Sequence, residues 1–168
     1  YGALWRLGIP ADVIDSGSSL EEYRLVIAPM LYLLKGDIAE RLSHFVEEGG
    51  TLVGTYQTGL VNENDLCFEG RVPHDMTAVF GLHREEIDSL WDGQSNHTCW
   101  NGKEYILTEL CERVHLSTAS ALAVYQEDFY AGEPVLTVNS YGRGRAYYMA
   151  ARTGMDFLQD FYGKTAPQ

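Results

Sequence analysis

The order of apolar segments in the first third of the chain restricts its fold more than any other feature. Residues 37–50 predict an amphipathic helix, because their apolar side chains recur on one face with helical spacing. Short apolar runs at residues 25–28 and 51–56 flank this helix and predict strands. Strands that are apolar without alternation are typical of parallel sheets covered by helices. We therefore predict an α/β fold with a mostly parallel sheet and helices on both faces.

Local signals predict further elements along the chain. Residues 11–17 predict a short strand that runs into a turn, and residues 76–82 predict a short helix. Residues 134–150 predict a hairpin in which Gly142 and Gly144 are able to supply positive φ at the turn.

Two helix caps and one edge strand are also expected. Asp37 with Glu40, and Thr153 with Asp156, have the spacing of a capping box at a helix start. Residues 103–116 alternate as a strand does, but both faces mix apolar and polar side chains. We therefore expect this strand at the edge of a sheet.

Length and charge limit the kind of protein this is. A chain of 168 residues suits one domain with a sizeable core. Its net charge of -12 repels phosphate backbones and anionic lipid, so nucleic acid and membrane surfaces are not expected partners.

Three cysteines argue against a disulfide framework, and a reduced, cytoplasmic setting is the simplest interpretation. Residues 2–10 predict the end of a helix, in which Leu4 and Leu7 share a face and Pro10 stops continuation. Because the chain thus begins inside a helix, we expect a domain taken from a longer protein.

The turn that follows residues 51–56 is where several α/β enzyme folds carry a nucleophile. Residues 54–59 read Gly-Thr-Tyr-Gln-Thr-Gly and contain neither serine nor cysteine. Thr58 is a hydroxyl candidate, but threonine nucleophiles normally rely on an N-terminal amine. We interpret the turn as a structural corner without a catalytic residue.

Two histidines and two cysteines raise the question of a metal site. His97 and Cys99, like Cys111 and His115, would each point to one side of a strand, so four zinc ligands are geometrically conceivable. The sequence leaves open whether these side chains lie close together. Their spacing matches no specific zinc pattern, so we predict neither a metal nor a cofactor. We interpret the four as buried cysteines and surface histidines.

Four segments of the chain together resemble one known family. They are ALWRLGIPADVID, YRLVIAPMLYLL, IAERLSHFVEEGGTLVGTYQTGLVNENDLCFEGRVP and GRGRAYYMAARTGMDFLQDFY. Over residues 1–162 the chain resembles the middle, trimerisation domain of the glycoside hydrolase family 42 β-galactosidases. Residues 163–168 are then expected to be a loose C-terminal tail.

The resemblance implies both a fold and a role. The fold would be a flavodoxin-like three-layer sandwich, similar to class I glutamine amidotransferases, with Gln57 about where such an enzyme has cysteine. The role would be non-catalytic, because the family's catalytic glutamates belong to a TIM barrel, which takes about 250 residues and cannot lie within this chain. The implied partners are the other subunits of a homotrimer and a catalytic barrel, its own or a neighbouring one. A galactoside would be bound only through the parent enzyme.

The polar segment at residues 60–73 is the candidate contact with such a barrel. It leaves the carboxyl end of a predicted strand, the usual functional edge of open α/β folds, and is long for a loop without a function. We expect this loop to pack against a barrel and help enclose the sugar pocket, or else to be an ordinary solvated or trimer-contact loop. The candidate pocket-wall residues are Asn62, Glu63, Asn64, Asp65, Phe68 and Arg71.

Two other functions stay open. A degenerate amidotransferase-like hydrolase would act through Thr58 or Cys67, and a sugar-binding module would use Trp91, Trp100 and Tyr56. The missing nucleophile counts against the first function, and the lack of a clear aromatic platform counts against the second.

Overall fold

The computed structural model describes residues 1–166, which contain four helices and nine strands. The helices are α1 (Gly2–Arg6), α2 (Ile38–Glu47), α3 (Thr77–Phe80) and α4 (Met155–Thr165). The strands are β1 (Leu25–Ala28), β2 (Thr51–Thr55), β3 (Leu82–Ser89), β4 (Asn96–Trp100), β5 (Lys103–Leu116), β6 (Ser120–Val124), β7 (Pro134–Tyr141), β8 (Gly144–Met149) and β9 (Ala151–Thr153).

Five strands form the central sheet in the order β1-β2-β8-β7-β6. The β1–β2 and β2–β8 pairs are parallel, whereas the β8–β7 and β7–β6 pairs are antiparallel. The sheet is thus mixed rather than mostly parallel as expected. The reason is the β7–β8 hairpin, because a turn of only residues 142–143 joins strands that must run in opposite directions.

Helices cover both faces of the central sheet, as the sequence indicates. α2 and α3 pack against one face through a core cluster that includes Leu42, Leu52 and Tyr148. α1 and α4 pack against the opposite face, where Val53 and Phe157 belong to a second cluster. Successive residues of β2 therefore point into different cores, which explains why this strand is apolar without alternation.

A second sheet has the antiparallel order β3-β5-β4, and β9 also pairs with β5. Residues 103–116 therefore form a central strand, and the expectation of an edge strand was wrong. Their mixed faces have a cause at Glu109, whose φ of 64° interrupts the alternation. Before this point only odd-numbered residues of β5, such as Leu107, are buried, whereas after it the even-numbered Glu112 and Val114 are buried as well as Cys111.

Three further local expectations were wrong. Residues 11–14 form no strand, because within residues 1–166 no neighbouring strand pairs with them. The turn expected after them is present, where the Asp15 carboxylate accepts the Gly17 N–H. Neither capping box forms. Asp37 is the N-cap of α2 but makes no side-chain capping bond, and α4 begins at Met155, two residues after Thr153, with Gly154 as its N-cap.

The two glycines of the hairpin have different roles. Gly142 has the positive φ that was predicted, 56°. Gly144 is needed for space instead, because a Cβ there would lie 2.2 Å from the carbonyl oxygens of Val46 and Gly50.

The final helix extends beyond the boundary expected at residue 162. Thr165 Oγ1 donates to the carbonyl of Phe161 and keeps the last turn helical. The expected loose tail is therefore helical over residues 163–165, and Pro167 and Gln168 lie outside the described residues.

Candidate functional site at the carboxyl edge of the central sheet

The chain leaves β2 through a sharp corner at residues 56–59. Gln57 has a positive φ of 61°, a conformation that costs a non-glycine residue about 1–3 kcal/mol. The Gln57 N–H donates to Glu112 Oε1, with 2.7 Å between the two heavy atoms. The corner predicted from the sequence is thus present, and an acidic side chain holds it from inside the molecule.

Glu112 has no exposed surface and is the feature that sequence reasoning missed. Its carboxylate also accepts the Tyr148 hydroxyl at 2.7 Å and lies 3.5 Å from Arg84 Nη1. Burial raises the pKa of Glu112, whereas the donors from Tyr148, Gln57 and Arg84 act in the opposite direction. No sequence signal marks Glu112, because an acidic residue in an alternating strand is normally assigned to the solvent face.

The segment of residues 60–73, called here the 60–73 loop, starts at this corner and returns to it. The His74 N–H donates to the Gly59 carbonyl, with 3.1 Å between the heavy atoms. The Arg84 N–H donates to the Val72 carbonyl at 2.7 Å. Both ends of the loop are therefore bonded to the body of the domain.

Four of the six predicted pocket-wall residues lie together at the tip of the 60–73 loop. Asn62 Oδ1 accepts the backbone N–H groups of Asn64 and Leu66, so the Asn62 side chain shapes the turn. Glu63, Asn64 and Asp65 are exposed. Their carboxylate and amide groups are therefore available to a neighbouring surface.

The other two predicted pocket-wall residues are placed differently. Phe68 stacks on His74, with ring centroids 3.8 Å apart, and packs partly against the first core cluster. Phe68 therefore anchors the loop to the body of the domain. Arg71 is exposed. Its positive charge acts on His83 of β3: burial lowers the pKa of the His83 imidazole, and the charge of Arg71 lowers this pKa further.

An apolar rim, formed by Met30, Tyr32, Leu33 and Leu66, lies beside the loop tip. The segments that carry these residues are joined by the backbone, since the Leu60 N–H donates to the Tyr32 carbonyl at 2.9 Å. All four side chains are exposed, Leu66 to 62%. Exposed apolar groups in such proximity are typical of an interaction surface.

The candidate metal ligands do not converge. His97 and Cys99 lie on β4, whereas Cys111 and His115 lie on the part of β5 that pairs with β3. Cys111 is buried, and burial raises the pKa of its thiol to about 11. Within residues 1–166 no three His, Cys, Asp or Glu side chains are placed to hold one metal ion.

The aromatic residues proposed for sugar stacking do not form a platform. Trp100 is buried and packs beside Phe157 and Phe161 of α4. Trp91 is 81% exposed in the loop between β3 and β4, and Tyr56 is half-buried at the corner. Stacking on a sugar ring needs an open aromatic face, which Trp100 does not offer.

Comparison with known families shows what kind of domain carries this site. A family model described as the β-galactosidase trimerisation domain matches residues 1–168. The chain belongs to this family.

The relatives of this trimerisation domain are much longer proteins. A β-galactosidase from Alicyclobacillus acidocaldarius is 45% identical over 175 residues, covering 100% of this chain and 25% of that protein. The structure of a β-galactosidase from Rahnella sp. R3 has a TM-score of 0.93 and 48% identity over 96% of this chain and 25% of its own. That of a β-galactosidase from Bacillus circulans sp. alkalophilus has the same TM-score, 0.93, and 41% identity, and covers 96% of this chain and 25% of its own. The chain thus spans about a quarter of these relatives.

The hydroxyl candidate of this trimerisation domain, Thr58, is not arranged for attack. Thr58 has no exposed surface, and its hydroxyl donates to the Thr55 carbonyl at 2.6 Å. Cys67 is an exposed free thiol whose backbone forms a bridge with Val61 inside the loop. A nucleophile has to be accessible and within reach of a base, and Thr58 is not accessible.

Among residues 1–166 no helix is both long enough and apolar enough to cross a bilayer.

Proposed function

We propose that this trimerisation domain is a non-catalytic part of a β-galactosidase and joins three subunits into a homotrimer. The observation that carries the proposal is the match of the whole chain to the trimerisation family. The geometry supports a role without chemistry, because the Thr58 hydroxyl at the corner is buried and bonded to a carbonyl. Galactoside hydrolysis would then belong to the rest of the parent chain, and assembly would need no cofactor.

The exposed apolar groups support an assembly role. A cyclic trimer needs two different patches on each subunit, because each interface in a threefold ring is heterologous. One candidate patch is the apolar rim. The other lies on α1, where Tyr1 and Trp5 are 70% and 73% exposed.

We further propose that the 60–73 loop packs against a catalytic barrel, its own or a neighbouring one, and helps enclose the sugar pocket. The exposed polar groups of Glu63, Asn64 and Asp65 suit hydrogen bonds with sugar hydroxyls or with a barrel surface. The apolar rim beside them supports a buried contact rather than a fully solvated loop. A loop that only contacts a neighbouring subunit is the alternative.

Two finer proposals concern ancestry and location. A relation to class I glutamine amidotransferases, with a flavodoxin-like sandwich, is supported by the positive φ of Gln57 directly after β2 and by helices on both sheet faces. A cytoplasmic location is supported by the three cysteines Cys67, Cys99 and Cys111, which are all unpaired.

Light scattering on the full-length parent enzyme tests the assembly role. Removal of residues 1–166 is expected to convert a trimer into monomers, and a trimer that survives this deletion would refute the proposal. A gentler variant, Tyr32→Glu with Leu66→Glu, places two charges in the apolar rim and is expected to weaken the trimer.

The control for the rim variant is Val13→Glu. Val13 is 86% exposed and lies outside the rim, so this change adds a charge without touching the proposed interface. A trimer that survives the rim variant but not the deletion would show that the apolar rim is not one of the two interface patches.

A further inference from the structure

Glu112 is a buried acidic side chain that the assembly role does not explain. A carboxylate without solvent contact is tolerated only where donors replace the lost water. Three structural elements supply these donors: the corner after β2 through the Gln57 N–H, β8 through Tyr148 and β3 through Arg84. One side chain of the second sheet thus connects to two parts of the central sheet.

Two of these donors flank the two ends of the 60–73 loop. Gln57 lies in the corner from which the loop starts. Arg84 holds the end of the loop, because its N–H donates to the Val72 carbonyl at 2.7 Å while its guanidinium lies 3.5 Å from Glu112 Oε1. The same oxygen, Oε1, also accepts the Gln57 N–H, so groups that flank both ends of the loop meet at one atom.

The base of the loop leaves little room for independent movement of its two ends. A Cβ on Gly59 would lie 2.9 Å from the His74 nitrogen, so the two chain segments are in close contact. The Tyr148 hydroxyl bonds the second oxygen of Glu112 and fixes the orientation of the carboxylate. A shift of this carboxylate would therefore move both ends of the loop together.

We propose that Glu112 is a positioning residue that fixes the conformation of the 60–73 loop. Its carboxylate accepts donors from the corner before the loop and from Arg84, which bonds the end of the loop, and so holds the exposed tip in one place relative to the sheet. The functional consequence rests on the proposed pocket-wall role. A loop ordered in advance presents Glu63, Asn64 and Asp65 to a barrel without a further loss of conformational freedom.

Hydrogen exchange on the full-length enzyme tests this proposal with three variants. Glu112→Leu removes the acceptor, Glu112→Gln keeps one acceptor oxygen for the Gln57 N–H, and Thr98→Val removes a different buried hydrogen bond far along the second sheet. We expect exchange in a peptide covering residues 56–73 to become at least about tenfold faster in Glu112→Leu. Exchange should stay close to wild type in Glu112→Gln and in Thr98→Val.

The proposal is overturned if Glu112→Leu exchanges in residues 56–73 no faster than Thr98→Val. If Glu112→Leu yields no folded trimer, the double variant Glu112→Gln with Arg84→Met takes its place. This double variant keeps the bond to the corner but cuts the connection to the loop end, so faster exchange should be confined to residues 68–73. Unchanged exchange there would equally overturn the proposal.

Galactoside kinetics on the same variants separate this proposal from the pocket-wall role. Faster exchange together with a fall in kcat/KM, restored in Glu112→Gln, supports both. Faster exchange with unchanged kcat/KM supports the positioning role of Glu112 and counts against the loop as a pocket wall.

Discussion

The effect of a buried threonine on stability depends on whether its hydroxyl has a hydrogen-bond partner. Thr98 and Thr137 both lie on strands and have no exposed surface. Thr98 Oγ1 donates to the Val124 carbonyl at 2.8 Å, whereas Thr137 Oγ1 has no hydrogen-bond partner among residues 1–166. A buried polar group without a partner costs about 1–3 kcal/mol.

Valine at these two positions should therefore have opposite effects. Thr137→Val removes an unpartnered hydroxyl and is expected to raise the free energy of unfolding by about 1 kcal/mol. Thr98→Val leaves the Val124 carbonyl without its donor and is expected to lower that free energy by about 1 kcal/mol. Urea denaturation of the 168-residue chain measures both. Equal losses in the two variants would show that Thr137 finds a partner in solution.

Glu112 should make the stability of the domain depend on pH. Burial raises its folded-state pKa above the ordinary value of 4.5. The contribution of Glu112 to the free energy of unfolding is therefore fully present below the ordinary pKa and is lost as the pH rises through the folded-state pKa. Glu112→Gln does not titrate, so its free energy of unfolding relative to wild type should increase as the pH rises from about 4 to 8. Denaturation at a series of pH values measures this difference, and a constant difference would contradict the prediction.

The candidate site could be predicted from the sequence only in part. The absence of serine and cysteine at residues 54–59 and the polar tip of the loop are local features, and both are visible in the sequence. The burial of Glu112 is not local, because it depends on the interrupted alternation at Glu109. A positive φ in a non-glycine residue has no reliable sequence signal.

Among the elements of the fold, the β7–β8 hairpin is fixed by its contact with the end of α2. The Arg143 N–H donates to the Glu47 carbonyl at 2.9 Å, next to the close approach of Gly144 to Val46 and Gly50. The hairpin turn therefore has no space for a side chain on its α2 side.

A methyl group at this contact should be poorly tolerated. Gly144→Ala places a Cβ 2.2 Å from two carbonyl oxygens and is expected to lower the free energy of unfolding by about 3 kcal/mol or more. The matched control is Gly102→Ala, where φ is +77° but a Cβ meets no atom within 4 Å. Its expected cost is only the backbone strain, about 1–2 kcal/mol. Similar losses for the two variants, compared by denaturant midpoint, would contradict the steric argument.

The elements with strong local patterns were predicted, and those that depend on partners were not. α2 has an amphipathic pattern, and β1 and β2 are continuous apolar runs. The β7–β8 hairpin has a glycine turn. β3 was not predicted, because its sequence LHREEIDS is mostly polar. It is stabilised across the sheet instead, where Arg113 Nη1 donates to Glu86 at 3.0 Å and His115 bonds Glu85.

For the molecule as a whole, changes in the loop tip should affect galactoside hydrolysis, and changes in the apolar rim should affect subunit assembly. The rim is apolar and is proposed to hold subunits together, whereas the tip is polar and is proposed to face a sugar pocket. Asn62 belongs to the tip but shapes its turn, so changing it would confuse a contact with a conformational effect.

The test of the tip therefore changes only Glu63 and Asn64. Glu63→Ala with Asn64→Ala in the full-length enzyme is expected to leave the trimer intact and to lower galactoside kcat/KM about tenfold, or about 1.4 kcal/mol of transition-state stabilisation. The control is Asp92→Ala with Ser95→Ala, two exposed residues of the loop between β3 and β4. Steady-state kinetics measure both, and an unchanged kcat/KM in an intact trimer would leave the loop with a structural role only.

The central sheet joins parts of the chain that are synthesised far apart in time. β2 has β1 on one side and β8 on the other, so that Thr51 lies opposite Arg145. While a ribosome makes the intervening residues, the apolar β2 has only one neighbour, and an unpaired strand edge is a site of aggregation. The yield of active protein in a cell should therefore depend on the pace of translation and on chaperones that shield the nascent chain.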